Sequence, residues 1–355
     1  MILKDSINII PGVILALVFC LFSQGINNVI AIELFNTSTS PISTAMIAIL
    51  LGIVMGNAFT PRAGMMIGLD FTQKYILKLG IIFLGIRLSF GEFIKFGTIA
   101  IPLIILCILS VLVLIKLLIK KVPISSRMSY LIAIGTSVCG ATAIVATAPI
   151  INAKKTEVAY AIANITLFGV IAMLVYPYFA EWYFYGEPLK AGLFLGTAIH
   201  ETSQVAAAGL IYDQQFNSPE TLNVATVTKL IRNTFLIVMI PLFAFLYNRG
   251  EKKGKDYSIL SIFPYFVIGF IGMIVFRNVG DQVFTIENNN HETWKTLISY
   301  IKSLATVFLT MAMAAVGISI NLNELKSMGY KPFVVGLIAA LTVGLVSVIA
   351  LELFL

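Results

Sequence analysis

Apolar runs of about 20 residues follow one another along the whole chain, and the charged residues are confined to the gaps between them. A helix rises about 1.5 Å per residue, so runs of this length suit the roughly 30 Å hydrocarbon core of a bilayer. The runs cover residues 7–23, 42–57, 74–90, 97–119, 128–151, 157–180, 190–212, 221–247, 258–278, 298–321 and 331–354. In lipid the backbone must satisfy its own hydrogen bonds, and runs this long do so as helices. Of the 355 residues 59% are hydrophobic and 12% charged, with a mean hydropathy of +0.96. A soluble domain carries about 25% charged residues, so a large soluble protein is excluded. The expectation is an all-α polytopic membrane protein of about eleven transmembrane segments, one integral-membrane domain over 1–355 without an appended soluble domain. Lys4 and Asp5 precede the first run, but no small-residue cleavage pattern follows it, so it is read as a span and not as a signal peptide.

The net charge of +7 does not indicate nucleic acid, because Lys and Arg sit mainly in short loops, where they report orientation. Arg62, Lys74 and Lys78 flank one turn, Lys116, Lys120, Lys121 and Arg127 a second, and Arg249, Lys252, Lys253 and Lys255 a third. All three are cytoplasmic if the N-terminus is inside. The connection Gln24 to Pro41 has no Lys or Arg and carries Glu33 and the run Asn36-Thr37-Ser38-Thr39-Ser40; it reads as extracytoplasmic, as do the acidic stretch Asp281 to Glu292 and the C-terminus. Lys154 and Lys155 dissent, facing outward if 128–151 crosses fully, while the turn Glu181 to Glu187 then faces inward. Both signs are repaired if 128–151 and 190–212 are re-entrant hairpins, giving nine spans plus two hairpins. Each is also long enough to cross as a broken helix, and full crossing is the reading taken.

Those two segments are unlike the rest. Gly135-Thr136-Ser137-Val138-Cys139-Gly140-Ala141-Thr142-Ala143-Ile144 and Gly196-Thr197-Ala198-Ile199-His200-Glu201-Thr202-Ser203-Gln204-Val205 align without a gap, sharing the leading Gly-Thr and an aliphatic residue two positions on. Small and polar residues here let a helix unwind and direct freed backbone groups and half-helix ends at a ligand. Paired interruptions of this kind mark a transporter's central site. A second echo relates Gly85-Ile86-Arg87-Leu88-Ser89-Phe90-Gly91-Glu92-Phe93 to Gly317-Ile318-Ser319-Ile320-Asn321-Leu322-Asn323-Glu324-Leu325. With the orientation above its two copies point oppositely, as in inverted-repeat carriers. The two echoes do not recur in the same order in the two halves, so one clean duplication does not follow.

Lys229 and Arg232 stand eight and eleven positions into the run 221–247, where a cation is costly unless it is paired, snorkels or faces water. Their spacing of three places them on one helical face, and Asn223, Thr226 and Asn233 extend it into a polar stripe. Such a face suits an oxyanion, Arg offering a planar fork and Lys a point charge. Snorkelling and an internal pair with Glu201 are the alternatives. His200 could relay a proton, bond substrate or tie helices together. Glu201 is the one carboxylate near the middle of the apolar core, hence the candidate for a coupling proton or sodium ion. Substrate contact is further expected of Gln204, Ser137, Thr136, Thr142, Cys139, Gly140 and Thr226, with Thr202 and Ser203 as additional neutral donors. Cys20, Cys107 and Cys139 lack metal-ligand spacing, and no metal site is expected. No phosphate-binding loop, dinucleotide fingerprint or nucleophile elbow is present, so no cofactor is implied.

With these residues in place, the chain resembles the sulfate exporter family of bacterial inner-membrane proteins over almost its whole length. The resemblance is carried by the two interrupted segments and by Ala225-Thr226-Val227-Thr228-Lys229-Leu230-Ile231-Arg232. That family is similar to carriers of the cation/proton antiporter and bile-acid symporter type, which cross two broken helices at the bilayer midplane. The resemblance implies export of sulfate or a sulfonate-derived anion from a multi-pass position in the inner membrane; the loop charges, and not the resemblance, put the N-terminus in the cytoplasm and the C-terminus outside it. The chain departs from proton antiporters in lacking paired acidic residues on a broken helix. The reading is a secondary anion transporter and not an enzyme. Its partners are the small anion, a coupling proton or sodium ion and the lipid bilayer, with a homodimer left open and nucleic acid excluded. A cation/proton antiporter and a channel are the alternatives. An intramembrane enzyme would need a dyad such as His200 with Glu201 or Cys139.

Overall fold

The structure is a computed structural model and describes residues 2–34, 40, 42–59, 63–118, 124–247, 264–285, 291–323 and 330–355. Of the features singled out above, 36–39, Arg62, Lys120, Lys121, Arg249, Lys252, Lys253, Lys255, 286–290 and 324–329 lie outside these residues.

Among the described residues the chain is helical, with no strand. The helices are α1 (Ile2–Val29), α2 (Thr44–Ala58), α3 (Ala63–Phe71), α4 (Leu77–Leu84), α5 (Phe90–Leu118), α6 (Ser126–Ser137), α7 (Ala141–Thr147), α8 (Lys155–Tyr183), α9 (Pro188–Ala198), α10 (Thr202–Phe216), α11 (Pro219–Thr234), α12 (Leu236–Tyr247), α13 (Phe266–Val283), α14 (His291–Ser319) and α15 (Tyr330–Phe354). Among the described residues seven stretches are long and apolar enough to cross a membrane: Ile9–Glu33, Phe90–Leu117, Lys155–Tyr183, Pro219–Leu242, Phe266–Val283, His291–Ser319 and Tyr330–Phe354. The other four expected runs take different forms. Run 42–57 is the shorter apolar helix α2, and 74–90 belongs to a helical stretch that starts at Ala63, passes through a π-turn at Thr72–Ile76 and ends in the 3-10 turn Gly85–Arg87. Runs 128–151 and 190–212 are each broken in the middle. Run 221–247 is also interrupted, at Phe235 between α11 and α12.

Local chemistry sets the helix starts. Ser43 and Ser125 cap α2 and α6 by accepting from the N–H groups of Met46 and Met128, each at 3.2 Å. α5 begins seven residues before its apolar run because Ser89 and Glu92 form a reciprocal capping box, with Ser89 N donating to Glu92 Oε2 at 2.7 Å and Glu92 N to Ser89 Oγ at 3.2 Å. Pro188 opens α9, where a missing N–H costs nothing.

The chain packs as two compact units, Met1–Ile94 with Gly209–Asn223 and Tyr265–Leu322, and Lys95–Ala208 with Val224–Pro264 and Asn323–Leu355. In the first, α2 and α14 meet backbone to backbone at Gly52 and Gly317, since a Cβ on Gly52 would stand 2.9 Å from the Gly317 Cα. Small residues at a lipid-embedded crossing let helices gain dispersion contact where water supplies no driving force. Amides pin the end of α14: Gln73 Nε2 in the π-turn donates to Ser319 Oγ at 2.7 Å, and Asn57 Nδ2 on α2 to the Ile320 carbonyl at 2.8 Å. Arg87 pairs with Asp213 at 2.8 Å.

In the second unit α8 and α15 pack against both broken segments. Asn164 Nδ2 on α8 donates to the Pro332 carbonyl at 2.6 Å, and Ser347 Oγ on α15 lies 2.6 Å from Thr197 Oγ1 on α9. A Cβ on Gly169 of α8 would collide with the Gln204 amide. The Asn164 amide nitrogen and the Thr197 and Ser347 hydroxyls are thereby paired, as an apolar surrounding requires.

Candidate functional site

Both sequence echoes carry equivalent local structure. In the first, α6 ends at Ser137 and α7 restarts at Ala141; in the aligned copy α9 ends at Ala198 and α10 restarts at Thr202. The capping bonds correspond too, Val138 N to the Ile134 carbonyl at 3.1 Å and Ile199 N to the Leu195 carbonyl at 3.4 Å. In the second echo, two non-helical residues follow Arg87 and Ser319, and Leu88 N donates to the Gly85 carbonyl at 3.2 Å as Ile320 N does to the Gly317 carbonyl at 3.1 Å.

Each break leaves carbonyls without an intrahelical partner. Lys229 and Arg232 of α11 collect them, so the two breaks meet at one pair of side chains. Lys229 Nζ donates to the carbonyls of Val138 at 2.8 Å and Ile199 at 3.2 Å, and to that of His200. Arg232 Nε donates to the Ser137 carbonyl at 2.8 Å, one terminal nitrogen to Thr197 at 2.7 Å and Ile199 at 3.0 Å, and the other to Thr136. Thr136 matches Thr197 in the alignment, and Val138 matches Ile199. The guanidinium therefore takes one aligned pair of acceptors and the ammonium the other. Lys229 is 1% and Arg232 0% exposed. An ammonium has three donors and a guanidinium five, so seven of eight are engaged by main-chain oxygens. Among the described residues neither cation forms an ion pair with Glu201, and neither snorkels.

Glu201 instead reaches across to the other break, where its Oε1 accepts from Ala141 N at 3.2 Å. Room for it comes from Gly140, whose φ of 71° and ψ of −128° suit glycine alone and whose absent Cβ would overlap the Glu201 side chain. The Glu201 N–H is held by Gln204 Oε1 at 3.2 Å. His200 is 1% exposed, and neither ring nitrogen finds a partner among the described residues.

The breaks thus gather Thr136, Ser137, Gly140, His200, Glu201, Gln204, Lys229 and Arg232. Thr136 and Ser137 contribute their carbonyls, and Ser137 Oγ turns back to the Ala133 carbonyl at 2.6 Å. Cys139 lies within the first break, nearly buried and free. Thr226 is buried one turn before Lys229, whereas Thr142 is exposed on α7. Asn233 Nδ2 donates to Thr202 Oγ1 at 3.0 Å, tying the end of α11 to the start of α10. Sequence reasoning missed Thr197, Val138 and Ile199 as partners of the cations, although the gapless alignment of the two segments marks all three positions.

The model of the family described as Conserved hypothetical protein 698 matches residues 11–336. The chain is 34% identical over 305 residues to a UPF0324 membrane protein of Fusobacterium nucleatum, covering 84% of this chain and 88% of that one. It is 33% identical over 303 residues to the UPF0324 inner membrane protein YeiH of Salmonella typhimurium, covering 83% and 81%. The YeiH protein of Escherichia coli K12 is 32% identical over 305 residues, with the same coverage. No solved structure matches the chain. The relatives' names and the seven long apolar helices agree on a multi-helix membrane protein.

Proposed function

Because the chain belongs to the family described as Conserved hypothetical protein 698, with relatives named membrane proteins, we propose that it is a secondary transporter, not an enzyme, and that it exports a small anion such as sulfate or a sulfonate-derived anion. The observation that carries this reading is the hub of Lys229 and Arg232. Each helix C-terminus counts as roughly −0.5 charge and each N-terminus as roughly +0.5. The two cations against two C-termini leave about +1, and the two N-termini are offset by the Glu201 carboxylate, so the hub keeps about one uncompensated positive charge. In a low-dielectric setting that charge favours an anion. The unpartnered His200 ring and the N–H groups opening α10 supply donors beside it. The anion meets Lys229 and Arg232 by exchanging for some of their carbonyl contacts as the breaks rearrange, and Glu201 carries the coupling proton.

In this proposal the protein lies in the inner membrane with its N-terminus cytoplasmic, and the two broken segments are re-entrant hairpins, giving nine spans plus two hairpins in place of the eleven crossings expected. This is supported by Ser125 before the first segment donating to Glu157 after it, and by Lys190 at the start of the second standing 4.0 Å from Glu352 near the C-terminus, which full crossing would put on opposite sides. The paired echoes enter from opposite sides as inverted copies of one another. A cysteine at exposed Lys154, in a background without Cys20, Cys107 and Cys139, labels from outside if the first broken segment crosses; labelling from the cytoplasmic side identifies a re-entrant hairpin. The function is tested by the purified protein in proteoliposomes, measuring labelled sulfate flux and anion-evoked currents across a panel of oxyanions and sulfonates under imposed proton and sodium gradients. Anion flux that follows a gradient supports the proposal. Sodium or potassium exchange for protons with no anion flux would make it a cation antiporter, and gradient-independent conductance a channel.

A further inference from the structure

A cleft of about 340 Å³ opens on the second unit, walled by Tyr176 and Phe179 of α8, Phe194 of α9 and Leu341, Gly344 and Leu345 of α15. Its volume falls within the roughly 300–1,000 Å³ of small-molecule sites. Gly344 helps to hollow it, because a Cβ there would stand 3.0 Å from the Tyr176 hydroxyl oxygen. Leu345 is 62% and the neighbouring Val175 53% exposed, so the cleft opens on surface that a bilayer covers.

One end of this cleft is charged. Lys190 lies one turn before Phe194 on α9, and Glu352 one turn after the lining residue Val348 on α15. Lys190 Nζ stands 3.0 Å from Glu187 Oε2 and 4.0 Å from Glu352 Oε1. At the same end α8 finishes, α9 begins and α15 finishes, and Trp182, Tyr183 and Tyr185 are exposed there. Aromatic residues collect at the membrane–water boundary, which places the charged end at headgroup level and the cleft below it, in the acyl region.

We propose that this cleft is a phospholipid seat selective for phosphatidylethanolamine. An acyl chain lies between Tyr176, Phe194 and Leu341, the phosphate meets Lys190, and the ammonium is received by Glu187 and Glu352. Glu187 and Glu352 around the Lys190 ammonium give this cluster a net charge of −1, and Glu181 in the last turn of α8 adds a further negative charge to the same end. A zwitterionic headgroup answers both signs, whereas a headgroup with phosphate alone is repelled by the two carboxylates. The inference rests on the chain's place in a membrane and is independent of what it transports.

The test is native mass spectrometry of the full chain released from nanodiscs containing equal phosphatidylethanolamine and phosphatidylglycerol. One retained phosphatidylethanolamine per chain is expected, enriched about tenfold over phosphatidylglycerol. Gly344→Leu fills the cleft and Leu345→Trp covers its mouth from an exposed position that spares the packed wall; each should abolish retention. Lys190→Ala and Glu352→Gln should keep a lipid but bring the enrichment down toward the supplied ratio. Retention of the two lipids at the supplied ratio by the wild type, or wild-type retention by both cleft variants, would overturn the proposal. So would a dimer that Leu345→Trp dissociates, since a second copy would then cover the cleft.

Discussion

Replacing Arg232 separates a group that holds helix ends from one that only holds cargo. Arg232 bonds four carbonyls, and of these the Ile199 carbonyl keeps Lys229 as a second donor. Arg232→Met therefore orphans three, those of Thr136, Ser137 and Thr197. At about 1–3 kcal/mol per buried unsatisfied group, the loss is roughly 3–9 kcal/mol, against a total stability on the order of 5–15 kcal/mol. Arg232→Lys keeps the charge and has three donors for the three carbonyls, but a single ammonium point replaces a fork that spans them, and each carbonyl left out of its reach costs about 1–3 kcal/mol. At roughly 2 °C per kcal/mol each such loss lowers the melting temperature by about 2–6 °C. Thermal unfolding in detergent is readable with a thiol-reactive dye, because Cys20, Cys107 and Cys139 are free and buried and Cys139 sits in one of the breaks. The expected order of melting is wild type, Arg232→Lys, then Arg232→Met, the last poorly folded or unfolded. Arg232→Met melting within about 2 °C of the wild type would refute the carbonyl-holding role. Glu201→Gln should not rescue Arg232→Gln, because the two side chains do not pair; restored melting in the double variant would show that they do.

Glu201→Gln retains an oxygen that accepts from Ala141 N, so its stability should change by less than about 1 kcal/mol; anion exchange should persist while proton-driven accumulation is lost, and loss of both together would make Glu201 structural. Gly140→Ala meets a strained backbone region and the Glu201 side chain at once, for a destabilisation of about 2–5 kcal/mol. Combining it with Glu201→Gly should recover the steric part alone in the same melting assay, and full recovery would show that the backbone angle at Gly140 carries no strain.

Much of this arrangement is legible in the sequence because hydropathy and small-residue interruptions act locally. The break after Ser137 and the break after Ala198 follow from Gly, Thr and Ser inside apolar runs, and their common register follows from the gapless alignment. Lys229 and Arg232 announce themselves by their depth. Their acceptors do not, since every residue has the same carbonyl and only the meeting of two segments sixty positions apart selects which oxygens lie in reach. Glu201 was a natural partner for a nearby cation by charge. It lies instead on Ala141 N, because a helix start also offers positive potential and Gly140 leaves the space. Helix boundaries went astray where polar residues continue a helix past its apolar stretch, as Ser89 to Glu92 do for α5. The interruption at Phe235 has no small-residue signature, and the structure offers no physical account of it.

The hub grips main-chain oxygens, and this separates the framework from the chemistry displayed on it. Any residue that lets α6 end at 137 and α9 end at 198 presents the same acceptors to Lys229 and Arg232. The hub therefore places no hydrogen-bonding demand on the side chains at Val138, Cys139, Ile199 and His200, of which Val138 and Ile199 answer to core packing, while two cations on α11 join both breaks through the main chain. On the transport reading proposed above, exchanging the Cys139 and His200 side chains, with Lys229 and Arg232 untouched, is the economical route to altered selectivity on the same scaffold.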